Sequence, residues 1–319
     1  MDDLSCPMCG GLQSEPLFLA ANGYPIVRCS RCRLAFSDVR SAPPPDQLYP
    51  AFDQSESVAL DALRSVLALF TRQREKVVRR FKNSGRLLDY GCGAGAFARW
   101  MSVHGFDSVG LEPFSLGEPR EDRNLRLVGG PLAEVEASLG TFDVITMWHV
   151  LEHLHEPVDV LSRLRRLLRP EGVLIVSVPN FASWQSRLFR GGWFHLDPPR
   201  HLLQFEAATL GDCLGRAGFE IAGEVRFLPE YGSSGWIQSA LNRVLPHDNF
   251  LYELVKDRGA LATMGGLDQV LHLTGSAVLG APILLASLPL EAVAAVAHGQ
   301  AALTFCARAV EPRGVGISN

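Results

Sequence analysis

The run RLLDYGCGAGAFARW at residues 86–100 constrains the fold of this chain more than any other stretch. Apolar residues lead to Asp89, three glycines follow at alternate positions, and a helix-forming segment begins at Ala96. Gly91, Gly93 and Gly95 carry no Cβ, so a strand can turn tightly there and bring its backbone against a ligand. The GxGxG spacing differs from the GxGxxG of dinucleotide-binding folds, and a glycine triplet alone also serves as a packing turn between strand and helix.

The next 90 or so residues extend the pattern. VGLEP at 109–113 places Glu112 at the end of a second short strand, about 20 residues beyond the glycines, where a carboxylate can accept two ribose hydroxyls. FDVITMWHVLEHL at 142–154 reads as a buried strand running into a helix, and LLRPEGVLIVSVPN at 167–180 as a helix end, a turn and another apolar strand. Over residues 85–225 these segments, in this order, resemble the class I S-adenosylmethionine (SAM) methyltransferases, whose first motif is an apolar strand followed by D/E-x-G-x-G-x-G. The resemblance implies an α/β, Rossmann-like core with a mostly parallel seven-stranded sheet. It implies SAM contacts from Asp89, Gly91, Cys92, Gly93, Gly95 and Glu112. The third strand, LRLVGG at 125–130, lacks the acidic residue that many relatives place against the adenine amine. Adenine is therefore expected against backbone near Pro131 and Leu132, with apolar contact from Met147 or Trp148. Only about a dozen residues separate Glu112 from that strand, so the intervening helix is expected to be short or missing.

Seven cysteines are present, and four fall in one pattern: Cys6 and Cys9, 19 intervening residues, then Cys29 and Cys32. Two Cys-x2-Cys knuckles can present four thiolates tetrahedrally to one ion, and a segment of this size has little core to fold around without such a staple. A structural zinc ribbon is expected, with all four ligand positions filled. A redox dithiol is the alternative use of such a motif. Cys92, Cys213 and Cys306 sit in apolar or glycine-rich surroundings and read as packing residues. The N-terminus has neither a basic region nor an apolar core, so no export signal is expected, and a reducing, cytoplasmic setting follows. A net charge of −4 argues against bulk nucleic-acid binding.

Proline-rich residues 41–52 form a connector, after which Leu63, Val66, Leu67, Phe70, Val77, Val78 and Phe81 recur at helical spacing. The arginines between them, and the Arg163, Arg165, Arg166, Arg169 group, are expected on solvated faces. If the acceptor must lose a proton, a histidine near the methyl group is the natural base. His195 and His201, in GGWFHLDPPRHLLQF at 191–205, follow the fifth strand where the family builds its substrate wall, and His149 is the next candidate. His149, Glu152 and His153 share one helical face. Their spacing resembles the Glu-x-x-Glu-His metal site of small-RNA 2′-O-methyltransferases and some ubiquinone-pathway O-methyltransferases. Histidine at the first position would favour zinc or manganese over magnesium.

After FEIAGEVRFLPEY at 219–231 comes a long helical segment before AALTFCARAV at 301–310 reads as the last strand. Within it, residues 273–290 are uncharged, at the lower limit of a membrane span, and interrupted by Gly275, Gly280, Pro282 and Pro289. A hairpin is expected, covered by the core or by a second copy in a homodimer, with membrane-surface contact at the inner face ranked behind. The chain thus divides into a zinc ribbon (1–50), a connector and amphipathic helix (51–84), a SAM-binding core (85–231), an insertion (232–300) and a final strand (301–312). Bacterial enzymes with four cysteines ahead of the core resemble sugar methyltransferases, which implies a small-molecule sugar or glycan-linked acceptor and no nucleic acid. An O-methyltransferase of a lipid quinone or phenol, and a SAM-sensing ribbon module without catalysis, are the other readings.

Overall fold

The computed structural model of the protein describes residues 4–44, 48, 58–113, 120–246, 249–256 and 265–310. Most of the proline-rich connector, the side chains of Leu63, Val66 and Leu67, and residues 114–119 after Glu112 lie outside them. Three strands come first, β1 (Ser14–Leu19), β2 (Pro25–Cys29) and β3 (Ala35–Ser37), followed by the helix Val58–Arg79. Then follow β4 (Gly85–Tyr90), β5 (Phe106–Glu112), β6 (Arg120–Asp122), β7 (Leu125–Gly129), β8 (Phe142–Trp148) and β9 (Leu168–Pro179). The last three strands are β10 (Leu203–Gln204), β11 (Phe219–Val225) and β12 (Ala302–Ala309).

The core is one sheet in the order β11-β12-β9-β8-β4-β5-β7-β6. It has eight strands where seven were expected, because the antiparallel strand β6 is added beyond β7 at the edge. β5, β7, β8 and β9 run parallel with β4, while β12 is antiparallel to both β9 and β11. Register aligns the ends that matter: Asp89 lies opposite Gly110 on one side and Thr146 on the other. The chain leaves β4 between neighbours that wind in opposite directions, so a crevice opens outside its carboxyl end.

Two apolar layers cover the sheet, which is why its strands read as nearly unbroken hydrophobic runs. Leu88, Tyr90, Leu111, Met147 and Val176 face one layer with Leu161, Leu164 and Leu210. Leu87, Val144, Trp148 and Ile175 face the other with Val77, Val78, Phe97 and Met101. Strand alternation thus sends Met147 and Trp148 to opposite sides.

The ribbon does not stand apart from the core. β1, β2 and β3 form an antiparallel sheet whose fourth strand is β10. Ser37 donates its backbone N–H to Leu202 O (2.9 Å) and its hydroxyl to His201 O (2.8 Å), and Arg28 pairs with Glu206 at 2.6 Å.

Between β11 and β12 run the helices Pro229–Val244, Phe250–Lys256 and Gly266–Val296. The expected hairpin within 273–290 is instead part of one helix of 31 residues that passes through Pro282 and Pro289. A proline removes one helical hydrogen bond and bends the axis, and neighbouring turns hold the rest. Expected cover from the core is also lacking on one side. Leu285 is 74% exposed and Val278 69%.

Candidate active site

All three glycines of the loop have left-handed φ angles: 75° at Gly91, 55° at Gly93 and 79° at Gly95. A Cβ at Gly91 would lie 2.3 Å from the Val150 side chain, and one at Gly95 would lie 2.8 Å from Leu127. The loop is therefore held both by conformation and by close packing. Cys92 points down into the sheet, where a Cβ at Gly110 would meet its sulfur at 2.9 Å. Burial raises its pKa, which keeps it a thiol and a packing group.

Two buried carboxylates flank the loop. Glu112 accepts the Gly93 N–H at 2.8 Å. Asp89 accepts the Thr146 hydroxyl at 2.8 Å, and burial pushes its pKa up to about 7, opposed by that hydrogen bond and by Arg74 and reinforced by Glu112. Paired acids of this kind call for a cationic, hydroxyl-bearing ligand. A sulfonium with an ammonium group and a ribose meets both demands, so the donor set fits SAM.

Arg74 departs from expectation. The sequence pattern predicts a solvated helix face for it, yet it reaches inward to donate to Glu230 (3.0 Å) and the Tyr231 hydroxyl (2.6 Å). Its guanidinium carbon lies 5.3 Å from the Trp148 ring centroid and 5.5 Å from that of Tyr231. In the other arginine group Arg166 and Arg169 are exposed, with Arg169 on Asp143 at 2.7 Å, while Arg163, on Asp159 at 2.7 Å, and Arg165 are half-buried.

The histidines separate into two groups. His149, with a φ of 55°, stacks on Tyr231 with centroids 3.7 Å apart, and the His195 ring is 6.0 Å away. His195 donates Nε2–H to Tyr231 O at 3.0 Å, which leaves its Nδ1 a lone pair. Burial pushes both pKa values down to about 3, with Arg74 adding to the effect on His149 and His149 to that on His195. Neutral imidazoles result. His201 turns elsewhere: its Nδ1–H donates to His195 O at 2.7 Å, and its ring meets that of His153 edge-on at 4.7 Å. Of the residues expected at the adenine, Leu132 is buried at the start of the helix Leu132–Leu139, in the same apolar layer as Met147. Trp148 lies on the opposite face with Arg74, so Met147 and Trp148 cannot line one surface.

At the other end of the ribbon the four cysteines converge. Cys6 and Cys32 sulfurs are 3.5 Å apart, Cys9 and Cys29 sulfurs 3.6 Å, and all four lie within 4.8 Å of one another. Zn–S bonds of about 2.3 Å in a tetrahedron put sulfurs roughly 3.8 Å apart, so the cluster fits a metal of this size. Each knuckle closes with a left-handed residue, Gly10 (φ 68°) and Arg33 (φ 64°).

Sequence reasoning missed Arg74, Thr146 and Tyr231. Thr146 had a signal, as the one hydroxyl in the apolar strand FDVITMW. The other two had none, because nothing local separates an inward arginine from a solvated one, and Tyr231 reads as the end of the sixth strand, whereas β11 stops at Val225 and Tyr231 lies in the helix Pro229–Val244.

A family model described as a methyltransferase domain matches residues 62–223. A probable S-adenosylmethionine-dependent methyltransferase of Mycolicibacterium smegmatis is 31% identical over 160 residues, 47% of this chain and 59% of the relative. A ubiquinone biosynthesis O-methyltransferase of Vibrio cholerae is 33% identical over 105 residues, 30% of this chain and 42% of the relative. The chain thus spans about half the length of the curated relatives it matches. Among solved structures, the 1,6-didemethyltoxoflavin-N1-methyltransferase of Burkholderia thailandensis is similar over 93% of this chain and all of that one, at 17% identity and a TM-score of 0.44.

Proposed function

The chain belongs to the methyltransferase domain family, and we propose that it transfers a methyl group from SAM to a small-molecule acceptor. One observation carries the reading: Asp89, the left-handed glycine loop and Glu112 converge outside the carboxyl ends of adjacent parallel strands. Bound there, SAM supplies an electrophilic sulfonium methyl. Glu112 would accept the ribose hydroxyls, and Asp89 would oppose the positive charge. The acceptor would pack against Trp148, His149, His195 and Tyr231, where neutral imidazoles would accept hydrogen bonds that orient it. Arg74 holds Tyr231 and so fixes that wall.

The four-cysteine layout supports a sugar or glycan-linked acceptor. A second reading, a lipid-linked or quinone acceptor, draws on the ubiquinone O-methyltransferase relatives and on the exposed apolar helix Gly266–Val296. The ribbon is taken to hold structural zinc. Incubation with methyl-labelled SAM and fractionated extract tests the whole, with label expected in a water-soluble product. Label partitioning into organic solvent would favour the lipid acceptor. Transfer to no fraction would leave a SAM-sensing module. Replacing His149 and His195 together with asparagine should lower turnover by roughly 100-fold while sparing SAM affinity.

A further inference from the structure

We propose that the cleft between the ribbon sheet and the helix Trp184–Phe189 binds a soluble small molecule that carries a phosphate group on an aromatic or apolar body. The cleft has a volume of about 470 Å³, within the range of sites for small organic ligands. Phe18 and Arg28 line it from β1 and β2 of the ribbon, and Phe181, Ser186, Arg187 and Arg190 line it from the chain that follows β9. Glu206, at the start of the helix Ala207–Arg216, completes the wall.

Charge decides what the cleft can hold. Three guanidiniums face one carboxylate, an excess of two positive charges. The carboxylate is already engaged, because Glu206 accepts from Arg28 Nη2 at 2.6 Å. Arg28 Nε–H is buried and has no acceptor among the described residues. A buried donor left without an acceptor is costly, and an anion seated in the cleft removes that cost. Arg187 and Arg190 have no carboxylate partner among the described residues. Ser186 is only 6% exposed, and its hydroxyl is likewise unpartnered among them. A planar guanidinium meets phosphate oxygens two at a time. A phosphate monoester, with a charge near −2 at neutral pH, also matches the excess that a carboxylate would only half meet. A single cleft of this size lacks the extended basic track of a polynucleotide site.

The aromatic pair sets the rest of the ligand. Phe18 from the ribbon and Phe181 from the core lie within 22° of parallel, with centroids 6.2 Å apart. An apolar body against these rings, with its phosphate on the arginines, would bridge ribbon and core. The cleft is separate from the surface around His195. Gln185, next to Ser186 in the same short helix, is fully buried, and a Cβ at Gly235 would meet both its side chain and that of His195. One helix thus serves both places, with Gln185 toward the histidine and Ser186 toward the cleft. Binding there does not rest on the methyl-transfer reading, since no lining residue belongs to the glycine loop or to the histidine surface.

The test is calorimetry with phenyl phosphate on the full zinc-loaded chain, with SAM saturating and with phenol as the uncharged control. Saturable binding of one phenyl phosphate per chain is expected, and none of phenol. Arg187→Gln combined with Arg190→Gln, at exposed positions, should weaken binding about tenfold or more while leaving SAM affinity unchanged. Arg28→Gln should do the same, and if it loosens the ribbon the double variant decides alone. No binding to the wild type, or equal binding to the double variant, would overturn the proposal. Co-sedimentation with phosphatidic acid vesicles without binding of phenyl phosphate would also overturn it, by assigning the arginines to a lipid headgroup.

Discussion

Asp89 shows how much one buried side chain can govern. It holds its proton up to about pH 7 in the folded protein, against 3.8 for an ordinary aspartate, because burial penalises the charged form. Folding therefore takes up a proton between those values, and the associated stability, on the order of a few kcal/mol, is full below pH 3.8 and lost as pH rises through 7. Asp89→Asn keeps an acceptor for Thr146 and cannot titrate. Urea unfolding of both proteins from about pH 4 to pH 8 should show the variant gaining on the wild type as pH rises, and parallel curves would refute it. Glu112→Ala removes the acceptor of the Gly93 N–H and of ribose hydroxyls. SAM binding should weaken by about 1–3 kcal/mol by calorimetry.

Among the elements, the long helix Gly266–Val296 is tied to its neighbours by a buried carboxylate. Glu291, 2% exposed, accepts from Ala301 N–H (2.5 Å), Trp236 Nε1 (3.1 Å) and Gln185 Nε2 (3.3 Å). It ties the helix to the helix Pro229–Val244 and to the entry of β12. A Cβ at Gly232 would come within 2.4 Å of Glu291, so glycine is required for the two helices to approach. Glu291→Ala leaves three donors without their acceptor, at a cost of about 1–3 kcal/mol for each one kept from water. Hydrogen exchange should speed up across residues 266–302 in that variant while β4 and β8 stay protected. Uniform exchange across the whole chain would mean that the helix is not an independent unit.

At the scale of the molecule, an apolar surface among the described residues lies open to solvent. The helix Gly266–Val296 is long and apolar enough to cross a membrane, with a mean hydropathy of 1.8 over its most apolar window. Its buried residues, including His272, Gly280, Ser287 and Glu291, follow one face. The solvent side carries Leu271, Val278 and Leu285, 47%, 69% and 74% exposed, at the seven-residue spacing of a helix seam. A second copy of the chain covers such a seam most economically, so light scattering should give the mass of a dimer, and Val278→Glu with Leu285→Glu should give a monomer. A monomeric wild type that floats with liposomes would reverse this assignment and favour a lipid-linked acceptor. Zinc matters at the same scale. Cys9→Ser should lose the ribbon ion and, through β3 and β10, open residues 195–206 to proteolysis.

Local chemistry was legible in the sequence. A glycine triplet after an apolar strand can only be a tight turn, and Asp89 and Glu112 are placed by the strands that end in them. Four cysteines in two knuckles declare their cluster because the ligand spacing is carried on short stretches of chain. Strand period and motif order supplied the core sheet for the same reason, although the short edge strand β6 had no pattern to show. What the tertiary structure alone decided is convergence between distant segments. His201 meets His153 because β10 joins the ribbon, Arg74 turns inward because Glu230 and Tyr231 begin an insertion helix beside it, and Met147 parts from Trp148 because the sheet has two faces. Pro282 and Pro289 read as breaks, yet the helix continues through both. None of these follows from local residue pattern, since each depends on which surface another part of the chain presents.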